Sequence, residues 1–222
     1  GVWHGHTYAP TLLNSWEGAY FTFDAKTLTD MIDDAADMGL EMFVLDDGWF
    51  GNKYPRNDAN AGLGDWQINA KKLPEGIDYI ASHAHRKGLK FGMYSCCGTH
   101  TCAGYPGSFE HEFQDAETFA SWGVDYLKYD NCYKPLHADG EMLYKRMSLA
   151  LRNCGRDILF SACSWGADET HEWIKETGAS MWRSTGDIFD TWDSVKDLVA
   201  QQEKLHPYNG VGCFNDMDLS LI

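Results

Sequence analysis

The 222-residue sequence has few basic residues and no long hydrophobic run. Eighteen Lys and Arg stand against 33 Asp and Glu, which gives a net charge of −15 and a pI of about 4.8. Phosphate backbones repel a chain this acidic, so we expect no nucleic acid as a partner. No stretch approaches the roughly 18 continuous apolar residues of a membrane span, so we expect no membrane partner either.

Metal, redox and export motifs are also missing. None of the seven cysteines forms a C-x-x-C pair, and the histidine pairs at 4/6 and 83/85 have a spacing that does not place them side by side on a helix. These absences argue against a metal site. There is no N-x-S/T sequon, and the N-terminal "GVWHGHTYAP" has neither the basic start nor the apolar core of a signal peptide. The compartment of a soluble protein stays open between the bacterial cytoplasm and secretion.

What the chain does contain is a regular alternation of short apolar runs and amphipathic stretches. With 44% hydrophobic residues it can bury the core of one globular domain, residues 1–222, without a C-terminal β domain. Units of roughly 30–40 residues, each a strand and a helix, are typical of a parallel α/β sheet. Strands are predicted at 11–16, 41–49, 89–96, 124–130, 157–163, 180–188 and 209–216. Helices are predicted at 24–39, 75–88, 115–123, 140–155, 168–178 and 191–205.

Seven such units predict an incomplete (β/α)8 TIM-type barrel, in which no eighth strand follows the seventh. An unclosed barrel leaves a sheet edge with unpaired backbone groups. We therefore expect this chain to associate with itself or with a missing segment that fills the gap.

Polar side chains cluster where the predicted strands end. Barrel active sites are built at this carboxyl-terminal face. The residues are Trp16, Asp46, Asp47, Tyr94, Lys128, Asp130, Cys163, Ser164, Arg183 and Asp187.

Two of these predicted strands each contain a basic residue followed by an aspartate. In "VDYLKYDNC" (124–132), alternation places Lys128 and Asp130 on one face, and "SMWRSTGDI" (180–188) repeats the arrangement with Arg183 and Asp187. Nearby cations and burial shift a carboxyl pKa in opposite directions, so two aspartates in one barrel can differ in protonation. Glycoside hydrolysis requires such a pair, one carboxylate to attack and one carboxylic acid to protonate. The alternative is two structural ion pairs.

A further pair of carboxylates stands in "LDDGW" (45–49). Adjacent residues of a strand point to opposite faces, so Asp46 and Asp47 reach one ligand only if the strand ends and turns there, which Gly48 favours. Paired carboxylates accept hydrogen bonds from vicinal hydroxyls of a sugar. Two solvated loop aspartates are the alternative.

Several motifs resemble glycoside hydrolase family 27, the α-galactosidases and α-N-acetylgalactosaminidases. They lie between about residues 91 and 219 and include "CAGYPGS", "FASWGVDYLKYDNCY", "MSLAL", "WRSTGDI" and "NDMDL". The first 90 or so residues, with "TLLNSWEGAYFTFD", "VLDDGWFG" and "LGDWQINAKKLPEGI", resemble the related family 36 α-galactosidases. The change falls near residues 88–92, so the chain is either a natural intermediate or a chimera.

The resemblance implies a retaining exo-α-glycosidase that acts on terminal α-galactose and needs no cofactor. Asp130 matches the nucleophile and Asp187 the general acid/base. Cys102 and Cys132 match a disulfide at the rim of the pocket. The residues that match the sugar-binding pocket are Trp16, Asp46, Asp47, Trp66, Tyr94, Lys128 and Arg183.

Position 164 departs from the α-galactosidase pattern. Most family 27 α-galactosidases have a glutamate there that binds the O2 hydroxyl, whereas this chain has Ser164, with Ala167 nearby. Small residues at both positions resemble the α-N-acetylgalactosaminidases, in which they leave room for an acetamido group. The missing eighth unit keeps a third hypothesis open, an inactive barrel fragment that acts as a scaffold or weak sugar binder.

Overall fold

A computed structural model describes residues 9–51 and 68–218 of the chain. The described residues form seven strands, all close to predicted positions. They are β1 (Leu12–Asn14), β2 (Met42–Leu45), β3 (Lys90–Cys96), β4 (Tyr126–Asp130), β5 (Leu159–Cys163), β6 (Met181–Arg183) and β7 (Phe214–Asp216).

All six predicted helices are present, and one short helix follows β1 in addition. The helices are α1 (Trp16–Ala19), α2 (Ala25–Asp37), α3 (Ile77–Arg86), α4 (Glu112–Ser121), α5 (Gly140–Asn153), α6 (Thr170–Thr177) and α7 (Trp192–Leu205). Helix α2 illustrates why they form: Asp24 caps its first turn by accepting a hydrogen bond from the backbone N–H of Thr27, and Leu28, Ile32 and Ala35 are buried at helical spacing. None of the helices in the described ranges is long and apolar enough to cross a membrane.

The seven strands pair in parallel and in chain order, from β1 to β7. This confirms the predicted incomplete (β/α)8 TIM-type fold. The pairing of β2 with β3 runs from Met42 opposite Lys90 to Leu45 opposite Met93, without a break at the predicted crossover near residues 88–92. Within the described residues, β1 and β7 each pair with one neighbour, so the sheet has two free edges.

Strand alternation divides the buried side chains into two cores. The larger one lies between the sheet and the helices, whereas the smaller one consists of Met42, Val44, Tyr126, Leu159 and Met181 inside the curled sheet. The same inward-facing rows continue to the carboxyl ends of the strands, where they become polar. The inner core therefore forms the floor beneath the polar residues of the site.

The carboxyl-terminal part of the predicted sixth strand (180–188) does not form a strand. Strand β6 ends at Arg183, where it pairs with Asp216 of β7, and Asp187 lies in the loop that follows. The prediction that alternation places Arg183 and Asp187 on one strand face is therefore wrong, because the backbone leaves the sheet between them. Contact between the two side chains arises from the loop instead.

Candidate functional site

A cavity of about 430 Å³ opens at the carboxyl-terminal face of the sheet. Its walls contain a residue from the end of every strand, from Trp16 after β1 to Asp218 after β7. Parallel strands bring their carboxyl ends to one edge, so residues 200 positions apart in the sequence meet there. Nine of the residues predicted at the strand ends line this cavity: Trp16, Asp46, Asp47, Tyr94, Lys128, Asp130, Cys163, Arg183 and Asp187.

Asp130 is the last residue of β4 and is 9% exposed. The hydroxyl of Tyr94 donates to Oδ2 at 2.9 Å, and the backbone N–H of Asn131 donates to Oδ1 at the same distance. Burial raises the pKa of the Asp130 carboxyl, whereas the charge of Lys128 and the two hydrogen bonds lower it. Asp130 is thus a buried carboxylate that depends on its neighbours to stay ionised.

The ammonium group of Lys128 pairs with Asp46 rather than with Asp130. Its Nζ donates to Asp46 Oδ2 at 2.8 Å, and Asn14 Nδ2 donates to the same oxygen at 2.7 Å. Burial lowers the pKa of Lys128, but Asp46 and other negative neighbours outweigh burial and raise it overall. Lys128 therefore stays charged and acts on Asp130 through space instead of through a direct contact.

Asp46 and Asp47 both reach the cavity because β2 ends at Leu45 just before them. Gly48 follows with a φ of +106°, a conformation that a side chain at this position would strain. Burial raises the pKa of Asp47 to about 7, even though a hydrogen bond with Thr101 lowers it. Near neutral pH, Asp47 is consequently present both as carboxylate and as carboxylic acid, and the acid form donates a hydrogen bond.

Arg183 connects the loops that follow β6 and β7. Its Nη2 donates to Asp187 Oδ1 at 3.0 Å and its Nη1 forms an ion pair with Asp218 Oδ1 at 2.7 Å. Among the described residues, the Nε of this buried guanidinium has no hydrogen-bond partner. The Asp187 side chain is 70% exposed at the mouth of the cavity. The two candidate catalytic carboxylates thus differ sharply in exposure to water.

Asp218 is a site residue that the strand-end pattern missed. Its carboxylate accepts from Arg183 and, through Oδ2, from the backbone N–H of Ile188 at 2.6 Å, so it fixes the start of the loop that carries Asp187. The sequence could have indicated it, because Asp218 follows the end of the seventh predicted strand within "NDMDL". Other cavity residues that the sequence did not single out as site residues are Glu17, Tyr20, Trp165, Ile188, Phe189 and Asp190.

Two of the predicted sugar-binding residues, Ser164 and Ala167, are not among the cavity-lining residues. The Oγ of Ser164 is buried and shares a 2.7 Å hydrogen bond with Thr170 Oγ1, while Ala167 begins a short 3-10 turn behind the wall. Trp165 lines the cavity in their place. Trp66 lies outside the described residues.

The predicted disulfide between Cys102 and Cys132 is confirmed, with 5.1 Å between the two Cα atoms. Cys102 also lines the cavity, so the bond ties the loop after β3 to the end of β4. Cys154 and Cys163 are free, as predicted. The disulfide therefore restrains the loop that directly follows Asp130.

Two groups of side chains in the described ranges have metal-like spacing. One combines Asp130 with Cys102 and Cys132, whose sulfurs are already bonded to each other and offer no thiolate. The other combines Glu169, His171 and Glu172 on the outside of the fold, away from the cavity. The chemistry that the cavity itself offers is that of carboxylates and cations.

Comparison with known proteins finds α-galactosidases among the relatives of this chain. The family model Melibiase_2, described as Alpha galactosidase A, matches residues 19–222. Alpha-galactosidase mel1 of Schizosaccharomyces pombe is 48% identical over 166 residues, which cover 73% of this chain and 36% of that protein. The structure of a Saccharomyces cerevisiae α-galactosidase with raffinose is 31% identical with a TM-score of 0.83, covering 94% of this chain and 52% of that one.

The chain spans 36 to 53% of the length of the first curated relatives that it matches. The family 36 α-galactosidase AgaA from Geobacillus stearothermophilus is 22% identical, covers 89% of this chain and 33% of its own, and has a TM-score of 0.62. Such a likeness shows a shared fold alone. The family model extends back to residue 19, into the segment predicted to resemble family 36, so similarity to Alpha galactosidase A is not confined to residues 91–219.

Proposed function

Because this chain belongs to the Alpha galactosidase A family, we propose that it forms the catalytic face of a glycoside hydrolase that releases terminal α-linked galactose. One observation carries the proposal: Asp130 and Asp187 line a single cavity, one buried at the end of β4 and the other exposed after β6. The yeast relative with raffinose supports a galactoside as substrate. Two carboxylates in unlike environments suit the division of roles in glycoside hydrolysis.

In the first step, the Asp130 carboxylate attacks the anomeric carbon and the bond to the leaving group breaks. Asp187 donates its proton to the glycosidic oxygen, so the leaving group departs as a neutral alcohol. A covalent galactosyl ester on Asp130 remains. The exposure of Asp187 supports this assignment, because the leaving group must depart toward solvent.

In the second step, water replaces the leaving group. The Asp187 carboxylate removes a proton from this water while its oxygen attacks the anomeric carbon, and the ester bond to Asp130 breaks. Galactose leaves with its original anomeric configuration, because two inversions restore it. Asp187 is protonated again and Asp130 is again a carboxylate.

The remaining polar residues orient the sugar. Asp46 and Asp47 offer acceptors to vicinal hydroxyls, and Asp47 can also donate when it is protonated. The buried guanidinium of Arg183 lines the cavity and offers a positive charge to the sugar. Lys128 holds Asp46 in place by their 2.8 Å ion pair. Burial strengthens each of these charge-assisted hydrogen bonds.

Hydrolysis of 4-nitrophenyl α-galactoside by the full chain tests the proposal. Release of galactose with retained configuration, followed by NMR, supports a retaining galactosidase. Sugar binding without turnover would instead support the alternative of an inactive scaffold or weak binder.

The Tyr94→Phe variant should shift the acidic limb of kcat/KM to higher pH. The lost hydroxyl no longer stabilises the Asp130 carboxylate, so the already raised pKa of Asp130 rises further. Asp130 attacks only when ionised, so on acidification activity is lost at a higher pH than in the wild type, and it returns once the pH exceeds the raised pKa of Asp130. Tyr20→Phe is the matched control, because Tyr20 lines the same cavity but donates to Glu17. If the acidic limb of kcat/KM lay at the same pH in Tyr94→Phe and in the wild type, that result would contradict the role of this hydrogen bond.

An N-acetylgalactosaminidase is the second candidate, and the sequence pattern of small residues at 164 and 167 favours it, although neither residue lines the described cavity. Loss of a charged acceptor for the O2 hydroxyl costs roughly 1.5–3 kcal/mol, whereas a 2-acetamido group gains space. The ratio of kcat/KM for the α-galactoside and the α-N-acetylgalactosaminide compares the two. We expect Ser164→Glu to move the ratio toward galactose, with Ser148→Glu, outside the cavity, as control. A wild-type preference for galactose above tenfold would reject this candidate.

A mixed origin from families 36 and 27 stays a prediction, as does the organisation of residues 1–222 as one domain. Association with a copy or with a further segment also stays a prediction. The two free edges of the described sheet support it, because unpaired strand edges attract other strands.

A further inference from the structure

A second cavity of about 360 Å³ adjoins the first. The two share Ile188, Phe189, Asp190 and Asp218. Beyond this shared wall the second cavity is mainly apolar and is lined by Trp192, Val195, Leu198, Val199 and Met217. The polar cavity at the strand ends therefore continues into an apolar one over the loop after β6.

The boundary between the cavities exposes large apolar side chains. Phe189 is 67% exposed and Trp192 is 72% exposed. By contrast, Asp46 and Asp130 line the first cavity but not the second, and they are buried. Exposed aromatic side chains beside a cleft, rimmed by polar residues, are a common feature of ligand-binding surfaces.

The loop that carries Phe189 is held by its backbone. The N–H of Ile188 donates to Asp218 Oδ2 at 2.6 Å, that of Phe189 donates to Ser194 Oγ at 2.9 Å, and that of Thr191 donates to the carbonyl of Phe189 at 2.6 Å. An exposed aromatic ring on a fixed backbone is preorganised, which lowers the entropic cost of binding against it.

Proton donation indicates which part of the substrate meets this ring. Asp187 gives its proton to the glycosidic oxygen, so the leaving group lies on the same side of the sugar as Asp187. Phe189 is two residues further along the same loop and lines the same cavity. The buried carboxylates Asp46 and Asp47 line the first cavity but not the second, and they suit the hydroxyls of galactose.

We infer that Phe189, with Ile188 and Trp192, forms a binding surface for the leaving group of the substrate. The inference rests on the proposed function. The chemistry of the surface selects a leaving group with a flat apolar face, namely an aryl ring or the CH face of a second sugar ring. Leaving groups without such a face gain nothing from Phe189.

Binding to the full chain tests the inference, with Asp130→Asn present to prevent turnover. Calorimetry compares 4-nitrophenyl α-galactoside with methyl α-galactoside, which differ only in the leaving group. Adding Phe189→Ala should weaken the aryl glycoside roughly five- to tenfold, the size of an aromatic contact, and leave the methyl glycoside unchanged. Phe189→Trp should retain the preference. Val199→Ala is the matched control, because Val199 lines the second cavity alone.

Kinetics separates this inference from the proposed function. α-Galactosyl fluoride releases an ion that cannot contact Phe189, so Phe189→Ala should lower kcat/KM for the aryl glycoside and spare the fluoride. If Phe189→Ala lowered kcat/KM equally for the aryl glycoside and the fluoride, or left the preference for the aryl glycoside in binding unchanged, the role of Phe189 would be overturned while the proposed function would stand. The apolar surface would then be one that another protein segment covers. Failure of the parent protein to bind either glycoside would overturn the proposed function and this inference together.

Discussion

Replacing Asp130 by asparagine is expected to lower the turnover of every α-galactoside by at least about 10⁴-fold while sugar binding survives. An amide is a poor nucleophile, so no galactosyl ester forms. The amide retains an oxygen that accepts from Tyr94 or Asn131, which donate to the two carboxylate oxygens in the wild type. Initial rates measure the loss of turnover, and calorimetry measures the surviving affinity.

Mass spectrometry of the trapped intermediate sharpens this test. A slow 2-fluorogalactosyl substrate should label Asp130 in the wild type and leave the Asp130→Asn variant unlabelled. Asp30→Asn is the control, because Asp30 is exposed on α2 and pairs with Lys26. Label on another carboxylate, or activity within 100-fold of the wild type in Asp130→Asn, would show that the nucleophile is misassigned.

Replacing Asp187 by alanine should produce a loss that depends on the leaving group. General acid catalysis contributes roughly 10²–10⁴-fold, and it matters most when the departing alcohol is a weak acid. We therefore expect a loss of this size on melibiose and a much smaller one in the first step on 2,4-dinitrophenyl α-galactoside. A series of aryl galactosides of graded acidity measures the dependence, and pre-steady-state kinetics separates the two steps.

Asp190→Ala is the matched control for this variant. Asp190 lies on the same loop and lines the same cavity, yet the proposed mechanism gives it no proton to transfer. Azide should restore turnover of activated substrates to Asp187→Ala, because a small anion can attack the intermediate without a general base. A uniform loss across all leaving groups, with no rescue by azide, would mean that Asp187 is not the acid/base.

The sequence was sufficient to predict the strands, the helices and the face of the sheet where polar residues gather. Hydrophobic periodicity determines which elements form, and parallel pairing brings their carboxyl ends together. It was not sufficient for the pairings of individual side chains. Lys128 and Asp130 share a strand face, as alternation requires, but the curvature of the sheet brings the ammonium group to Asp46.

Backbone conformations of single residues limited the prediction in the wall after β5. Trp165 has a φ of +60° and Gly166 a φ of +79°, so the chain turns sharply just after Ser164. This turn accompanies the placement of the indole at the cavity and of the Ser164 hydroxyl against Thr170. A tryptophan with a positive φ is uncommon, and no sequence pattern predicts one.

The walls of the cavity have a mechanical consequence for the sheet. A sugar that touches both Trp16 after β1 and Asp218 after β7 would join the first and last strands, which share no hydrogen bond in the described structure. The ligand would then act as a removable cross-link across the opening of the barrel. Binding at 100 times Kd stabilises a folded protein by about 2.7 kcal/mol, and here that free energy would oppose the separation of the two edges. In the described structure, a bound sugar would therefore hold the ends of β1 and β7 together.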